Sequence, residues 1–318
     1  MPSQYDVVMP ISQKDVDLIR IGLPYFTEFL PMKKLVIIGT DEVRQRIDAL
    51  GKNDMIRFIE EDSILSINDV KKVMDHISSG DVTAVKRSGW YLQQFLKMKY
   101  AYLCEDEYYL VWDADTLPVT PICLWEENAP VFDMKDEYYP SYFKTMECLI
   151  QGLGKLEEKS FISEHMLINV DVMKNLMNEI EENQHLGSNK TFWENILFSI
   201  DKDMLAHSGF SEFETYGNFC CLKFPQLYRM REYTSLRDGA KYFKADRFSK
   251  VEAGWVAEDY MAVSFEKSQE LLPYYKLFQC RVIQKIFRLK TLIHMEHRII
   301  QGKKNLKKGL KRILKMGK

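Results

Sequence analysis

Two carboxylates one residue apart, Asp113 and Asp115, follow five consecutive apolar or aromatic residues, Tyr108-Tyr109-Leu110-Val111-Trp112. Such a run reads as a strand buried on both faces, as inner strands are in a sheet covered by helices. At its end, two carboxylates separated by one small residue lie close enough to serve a single hard cation, and Pro118 stops the strand from continuing. A charged pair at the end of a buried strand is costly unless something compensates it, which sets this pair apart from a solvated one. In open α/β sheets the carboxyl ends of the strands are where ligands bind.

Three further groups could act with that pair. Lys86-Arg87-Ser88-Gly89 precedes a helical segment, Trp90 to Tyr100, and Gly89 breaks the segment before it. Two cations and the first helix amides then suit a phosphate; a solvated basic turn is the alternative. Ser211-Glu212-Phe213-Glu214 opens a helical stretch near Phe210 to Cys221, where Glu212 and Glu214 diverge so that only one enters a shared cleft. An acidic helix start capped by Ser211 is the other reading. His165, before Met166-Leu167-Ile168, is either a cleft residue or a structural one at a strand's edge. An EF-hand is excluded, since Leu117 and Pro118 stand where more oxygen ligands and a glycine are needed. A phosphohydrolase with Asp113 as nucleophile stays open, although such enzymes carry the pair on their first strand.

Here three strand-helix units come first. Strands are expected at Tyr5 to Met9, Lys34 to Ile38 and Ile56 to Ile59, and helices at Asp15 to Phe29, Glu42 to Leu50 and Ile67 to Ile77. The connections are too long for hairpins, so a parallel right-handed β-α-β sheet follows, with Tyr108–Trp112 as its fourth strand. Beyond Asp115, strands at Ala129 to Asp133 and Met166 to Asn169 and helices at Asp171 to Asn183 and Thr191 to Ile200 suggest a second, α+β half.

The 318 residues are 46% hydrophobic, enough for a substantial core and against disorder. Six cysteines lack metal-type spacing and read as reduced, four of them buried in apolar runs. No leader or membrane-length apolar stretch is present, which points to the cytoplasm. Charge is uneven: residues 281–318 hold thirteen Lys or Arg against Glu296 alone. One stripe there is Val282, Ile286, Leu289 and Ile293, and another is Leu306, Leu310, Ile313 and Leu314, opposed by lysines. With Phe287 as the lone aromatic, nucleic acid is a poor partner, and an anionic membrane surface suits this basic amphipathic tail better than a merely solvated role.

Gly89-Trp90-Tyr91-Leu92-Gln93-Gln94-Phe95-Leu96-Lys97, then Leu110-Val111-Trp112-Asp113-Ala114-Asp115-Thr116, then Ser211-Glu212-Phe213-Glu214-Thr215-Tyr216-Gly217 resemble the bacterial surface-polysaccharide glycosyltransferases of the GT-A fold. That resemblance implies a Rossmann-like, mainly parallel α/β sheet with helices on both faces and a C-terminal helical tail. It implies residues 1–275 as the catalytic domain, 1–120 holding the donor and 121–275 the acceptor, with 276–318 as the tail. The donor is a nucleotide-sugar, usually of uridine diphosphate, with Mn²⁺ or Mg²⁺ held by Asp115 and Asp113. Such a metal neutralises charge on the departing diphosphate as the sugar gains oxocarbenium character. The nucleotide lies by Pro10, Ser12, Asp41 and Arg87 and by the helix start with Gly89, Trp90 and Gln93, while Asp113 also reaches ribose. Glu212, with Glu214 second, supplies the base of an inverting transfer, and His165 lines the acceptor side. The acceptor is a glycan, lipid-linked at the inner face of the plasma membrane. A non-catalytic sugar-binding module is the remaining alternative.

Overall fold

The structure, a computed structural model, describes residues 4–187 and 190–301. Strand and helix alternate at the start: β1 (Tyr5–Pro10), α1 (Val16–Phe29), β2 (Met32–Gly39), α2 (Asp41–Asp48), β3 (Ile56–Glu60), α3 (Ile67–Ser78), α4 (Val82–Lys86), α5 (Ser88–Lys99) and β4 (Tyr108–Trp112). Then come β5 (Thr116–Pro118), β6 (Trp125–Glu126), β7 (Ala129–Met134), α6 (Pro140–Leu149), β8 (His165–Asn169), α7 (Val170–Glu182), α8 (Phe192–Ser199), α9 (Glu212–Lys223) and β9 (Arg229–Glu232).

The main sheet runs β3-β2-β1-β4-β8. Its first four strands are parallel, and β8 closes the edge antiparallel to β4. The chain is therefore an α/β protein with a mainly parallel sheet flanked by helices. Every residue of β1 and β4 is buried, as helix-covered strands require. Val8, Val36, Ile38, Tyr109, Val111, Met166 and Ile168 share one core with residues of α3, α5, α7, α8 and α9.

Three expectations are corrected. The Met166–Asn169 strand joins the main sheet rather than a separate half, because β8 runs alongside β4 from Trp112↔His165 to Tyr108↔Asn169. The break before α5 is at Arg87 and not Gly89: α4 ends at Lys86, Arg87 keeps near-helical angles, and α5 starts at Ser88. Only Cys104 and Cys220 are buried, while Cys123, Cys148 and Cys280 are exposed and Cys221 is intermediate, because apolar sequence neighbours do not fix the direction in which a cysteine side chain points. All six are free thiols.

The chain forms two compact units, the described parts of 1–117 with 121–233 and of 118–120 with 234–318. In the second, β10 (Ser235–Leu236) pairs in parallel with β11 (Ala262–Ser264), beside α10 (Gly239–Tyr242), α11 (Lys250–Ala257) and α12 (Arg281–Ile286). The expected stripe of Val282, Ile286, Leu289 and Ile293 is split. Residues 287–288 interrupt the helix, and residues 289–301 are helical again. The Trp255 indole donates to the Phe287 carbonyl at 2.8 Å, and Leu289 and Ile293 are buried while Val282 and Ile286 stay exposed. The second stripe, Leu306 to Leu314, lies outside the described residues.

Candidate active site

The end of β4 is a tight turn. The Thr116 amide donates to the Asp113 carbonyl at 3.0 Å, and the Trp112 indole donates to the Thr116 carbonyl at 2.7 Å. The Thr116 hydroxyl reaches Asp115 Oδ1 at 3.3 Å. Across the strand pair, the Asp113 amide donates to the Glu164 carbonyl at 2.9 Å. Glu164 holds a left-handed φ of 65°, uncommon for a residue with a Cβ. Its carboxylate is tied to Lys135. The turn is thus pinned on both sides, with Asp113 and Asp115 both partly exposed on it.

A buried lysine completes this corner. Lys97 sits on the inward face of α5 within Phe95-Leu96-Lys97-Met98, and its side chain leans toward the helix amino terminus, as helical side chains do. Its Nζ lies 2.7 Å from Asp113 Oδ1 and 2.7 Å from Glu212 Oε1. It also lies 4.7 Å from the centre of the Phe213 ring. Burial opposes the ammonium charge, but Asp113 and Glu212 outweigh it and hold the lysine above its ordinary pKa. Gln94, one turn earlier, accepts the Glu212 amide at 3.1 Å, and Ser211 caps α9 by accepting the Glu214 amide at 3.3 Å. α5 therefore positions the start of α9 through two polar side chains.

Glu212 and Glu214 diverge as the helical spacing requires. Glu212 joins Lys97 and Asp113; Glu214 turns away to the Ser160 hydroxyl and, at 3.2 Å, to Asn218 Nδ2. Gly217 is needed on this helix, because a Cβ there would stand 2.3 Å from the Phe161 ring.

Pro10, Ser12 and Asp41 lie at or just past the carboxyl ends of β1 and β2, the sheet edge on which β4 ends at Asp113. Ser12 donates to Asp15 Oδ2 at 2.7 Å, and Asp41 is exposed at the start of α2. Arg87 lies 4.2 Å from the centre of the Trp90 ring and donates to the His207 carbonyl at 3.2 Å. A Cβ on Gly89 would meet nothing within 4 Å. Gln93 is half-buried, and it is Gln94 that reaches α9.

His165 belongs to a different cluster. Its Nε2 is 3.0 Å from Asp133 Oδ2 and its Nδ1 3.0 Å from the Ser163 carbonyl. Its ring stacks on Trp112 at 4.8 Å. Arg231 donates to both Asp133 oxygens, at 2.8 and 3.0 Å, and to Glu126 at 2.6 Å. Burial alone would raise the Asp133 pKa, yet His165 and Arg231 hold it below the ordinary carboxylate range. Lys97, Gln94, Asp133 and Arg231 are absent from the sequence-derived site. For Lys97 the signal was available: a lysine inside an apolar run demands a buried counter-charge.

Residues 6–270 match the model of a family of unknown function, DUF6492. The chain belongs to that family. No curated protein matches this DUF6492 chain. Among solved structures it is similar to mouse xyloside xylosyltransferase 1 in its apo form, at 13% identity and a TM-score of 0.44 over 84% of this chain and 99% of that one. It is also similar to the apo bifunctional glycosyltransferase WbbM, at 10% identity and a TM-score of 0.42 over 87% of this chain and 49% of that one. A third is the glycosyltransferase GlyE of Streptococcus pneumoniae, at 10% identity, a TM-score of 0.36, and coverage of 94% and 64%.

Asp113 and Asp115 are the carboxylates of the β4 turn that could share a cation. Among the described residues no group of three or more His, Cys, Asp or Glu is placed to hold a metal. Lys97 lies on one oxygen of Asp113 and the Thr116 hydroxyl on one oxygen of Asp115. Two carboxylates on one turn can anchor Mg²⁺ or Mn²⁺ whose remaining positions are filled by phosphate oxygens and water.

Proposed function

We propose that this DUF6492 protein is a metal-dependent glycosyltransferase of the GT-A type, moving a sugar from a nucleotide donor, a uridine diphosphate sugar, to a glycan. One observation carries the reading: an inner strand of a mainly parallel sheet ends in a turn bearing Asp113 and Asp115, and a buried Lys97 ties Asp113 to Glu212. Asp115 holds the cation, which when bound neutralises the departing diphosphate. Asp113 and Lys97 fix the donor's position, and Pro10, Ser12, Asp41, Arg87, Trp90 and Gln93 surround the nucleotide. Glu212 takes the acceptor proton in an inverting transfer.

Asp115→Ala is expected to abolish transfer while the fold survives, because the side chain is partly exposed and the turn is held by the Thr116 amide and the Trp112 indole, so that the change in stability stays at about 1 kcal/mol. Uridine diphosphate with Mn²⁺ is expected to raise the melting temperature of the wild type and not of the variant. No nucleotide-dependent, Mn²⁺-dependent shift in the wild type would sink the reading.

The same proposal places the protein on an anionic membrane, acting on a lipid-linked acceptor in surface-polysaccharide assembly. Among the described residues, no helix is long and apolar enough to cross a bilayer. Val282, Ile286 and Ile299 are exposed beside Arg281, Lys285 and Arg298, an apolar and cationic combination suited to surface attachment. Since Leu289 and Ile293 are buried, the test is deletion of residues 302–318 rather than of the whole tail. Weaker binding to anionic liposomes is expected, with transfer to a soluble acceptor unchanged; undiminished binding removes the sequence beyond residue 301 from the argument.

A further inference from the structure

Two tyrosines stand open on the segment before α6 in a way the core does not explain. Tyr138 and Tyr139 lie between β7 and α6 and are 61% and 40% exposed. Each is backed by an aromatic ring that is itself buried. Tyr138 stacks on Phe143, with centroids 5.5 Å apart and planes 21° apart. Tyr139 leans on Tyr142 at 5.1 Å and 45°. The Lys155 Nζ is 5.8 Å from the Tyr138 centroid and 5.2 Å from that of Phe143. Being nearly equidistant from two stacked rings, it lies beside the stack and leaves the outer face of Tyr138 uncovered.

The position of these rings is fixed by the elements that build the site. Ser141 donates to the Ser208 carbonyl and Thr145 to the Gly209 carbonyl at 2.8 Å, which clamps the first turns of α6 to the loop before α9. The same loop takes the Arg87 guanidinium on the His207 carbonyl. Burial pushes the Tyr142 hydroxyl up to about 12, and that hydroxyl feels the charges of both Glu212 and Arg87. Lys135, three residues before Tyr138, pairs with Glu164, whose carbonyl holds the Asp113 amide. The segment that carries the rings is thus tied to the loop that leads into α9 and Glu212, and to Glu164 beside Asp113.

We infer that Tyr138, with Tyr139 beside it, is a stacking platform for a sugar ring of the acceptor glycan. This rests on the glycosyltransferase reading and adds to it where the acceptor sits. A sugar ring has a face of C–H groups and a rim of hydroxyls. A ring held rigid from behind offers that face a flat apolar surface at little entropy cost, and the tyrosine hydroxyls and the Lys155 ammonium lie where the rim can bond to them. The backing matters, because a free tyrosine would have to be ordered on binding, whereas Phe143 has already ordered Tyr138.

The test uses the full chain, with soluble methyl glycosides and disaccharides as acceptors. Tyr138→Ala is expected to raise the acceptor KM about tenfold, the size of one lost aromatic contact, and to leave the donor KM and the melting shift with uridine diphosphate and Mn²⁺ unchanged. Tyr138→Trp is expected to keep the acceptor KM within about twofold, since the ring and not the hydroxyl supplies the surface. An unchanged acceptor KM in the Tyr138→Ala/Tyr139→Ala protein would overturn the inference, as would equal losses in the Trp and Ala variants. Saturation-transfer NMR with the same glycosides reads the platform without turnover. A chain that transfers nothing yet binds them through Tyr138 keeps the platform and loses the enzymatic reading; a chain that transfers equally well without both tyrosines keeps that reading and loses the platform.

Discussion

Two charge clusters flank β4, and they differ in how far their carboxylates are open to solvent. In the first, one lysine serves two carboxylates, Asp113 and Glu212, and the Asp113 side chain is 34% exposed. In the second, His165 and Arg231 both bond to Asp133, which is sealed from solvent, and Arg231 also holds Glu126. The first keeps negative charge in excess at the open end of a strand, where a cation or an incoming ligand can use it. The second leaves Asp133 satisfied by its own protein on both oxygens and joins β7, β8 and β9. A cluster with anions in excess at a sheet edge is built to bind, and one closed on itself is built to hold strands together.

Replacing Lys97 by Met should give the largest effect. It leaves Glu212 buried and Asp113 partly exposed without their shared cation, which costs about 3 kcal/mol of stability by analogy with other broken buried pairs. It should also lower turnover at least a hundredfold. Glu212→Gln should separate the two consequences, keeping a hydrogen-bond partner for Lys97 while slowing transfer. Urea melts and transfer rates measured on both proteins decide it: if Lys97→Met melts like the wild type and turns over normally, the cluster is neither structural nor functional.

Asp133→Asn should show the opposite profile, a loss of about 3 kcal/mol with nucleotide binding intact in whatever fraction is folded. Its pH dependence follows from the lowered pKa. A carboxylate that is more acidic in the folded state than its ordinary 3.8 stabilises the fold at all pH values above 3.8 and loses that contribution only as pH falls through the folded value below it. The gap in melting temperature between wild type and Asp133→Asn should therefore stay constant from neutral pH to about 4 and close only below that. A gap that closes well above pH 4 would take the stabilisation away from the Asp133 carboxylate.

The first cluster was half legible in the sequence and the second hardly at all. Asp113 and Asp115 stand out because five apolar residues before them declare a buried strand, and local pattern is what sequence shows best. Helical divergence says that only one of Glu212 and Glu214 enters a shared cleft, and the two do part; the choice of Glu212 came from the family resemblance and not from the spacing. Lys97 was readable in principle, as a charge inside an apolar run, but which carboxylates it serves depends on α5 and α9 meeting across 115 residues of chain. Asp133, His165 and Arg231 come from three strands, and only the antiparallel placement of β8 and the β7–β9 pairing bring them together. In the tail, the three- and four-residue spacing of Val282, Ile286, Leu289 and Ile293 predicted one stripe; the interruption at 287–288 carries no periodic signature and turns half of it inward.

Glu214 offers the smallest and most discriminating effect, because the comparison assigns it to neither cluster. Burial raises its pKa above the ordinary 4.5, against the opposing pull of Ser160, Lys155, the Phe161 amide and Asn218. A carboxylate that is harder to ionise in the folded state than in the unfolded one weakens the fold wherever it is ionised, and that cost disappears as pH falls through the folded value toward 4.5. The wild type should therefore gain stability relative to Glu214→Gln on acidification from neutral pH to about 4.5, by less than about 1 kcal/mol given how many partners the carboxylate keeps. Transfer by Glu214→Gln should stay within about threefold of wild type, since the side chain faces Ser160 and Asn218 and not Lys97. A variant that melts like the wild type yet transfers nothing would move the catalytic base from Glu212 to Glu214 and leave Glu212 as a partner of Lys97 alone.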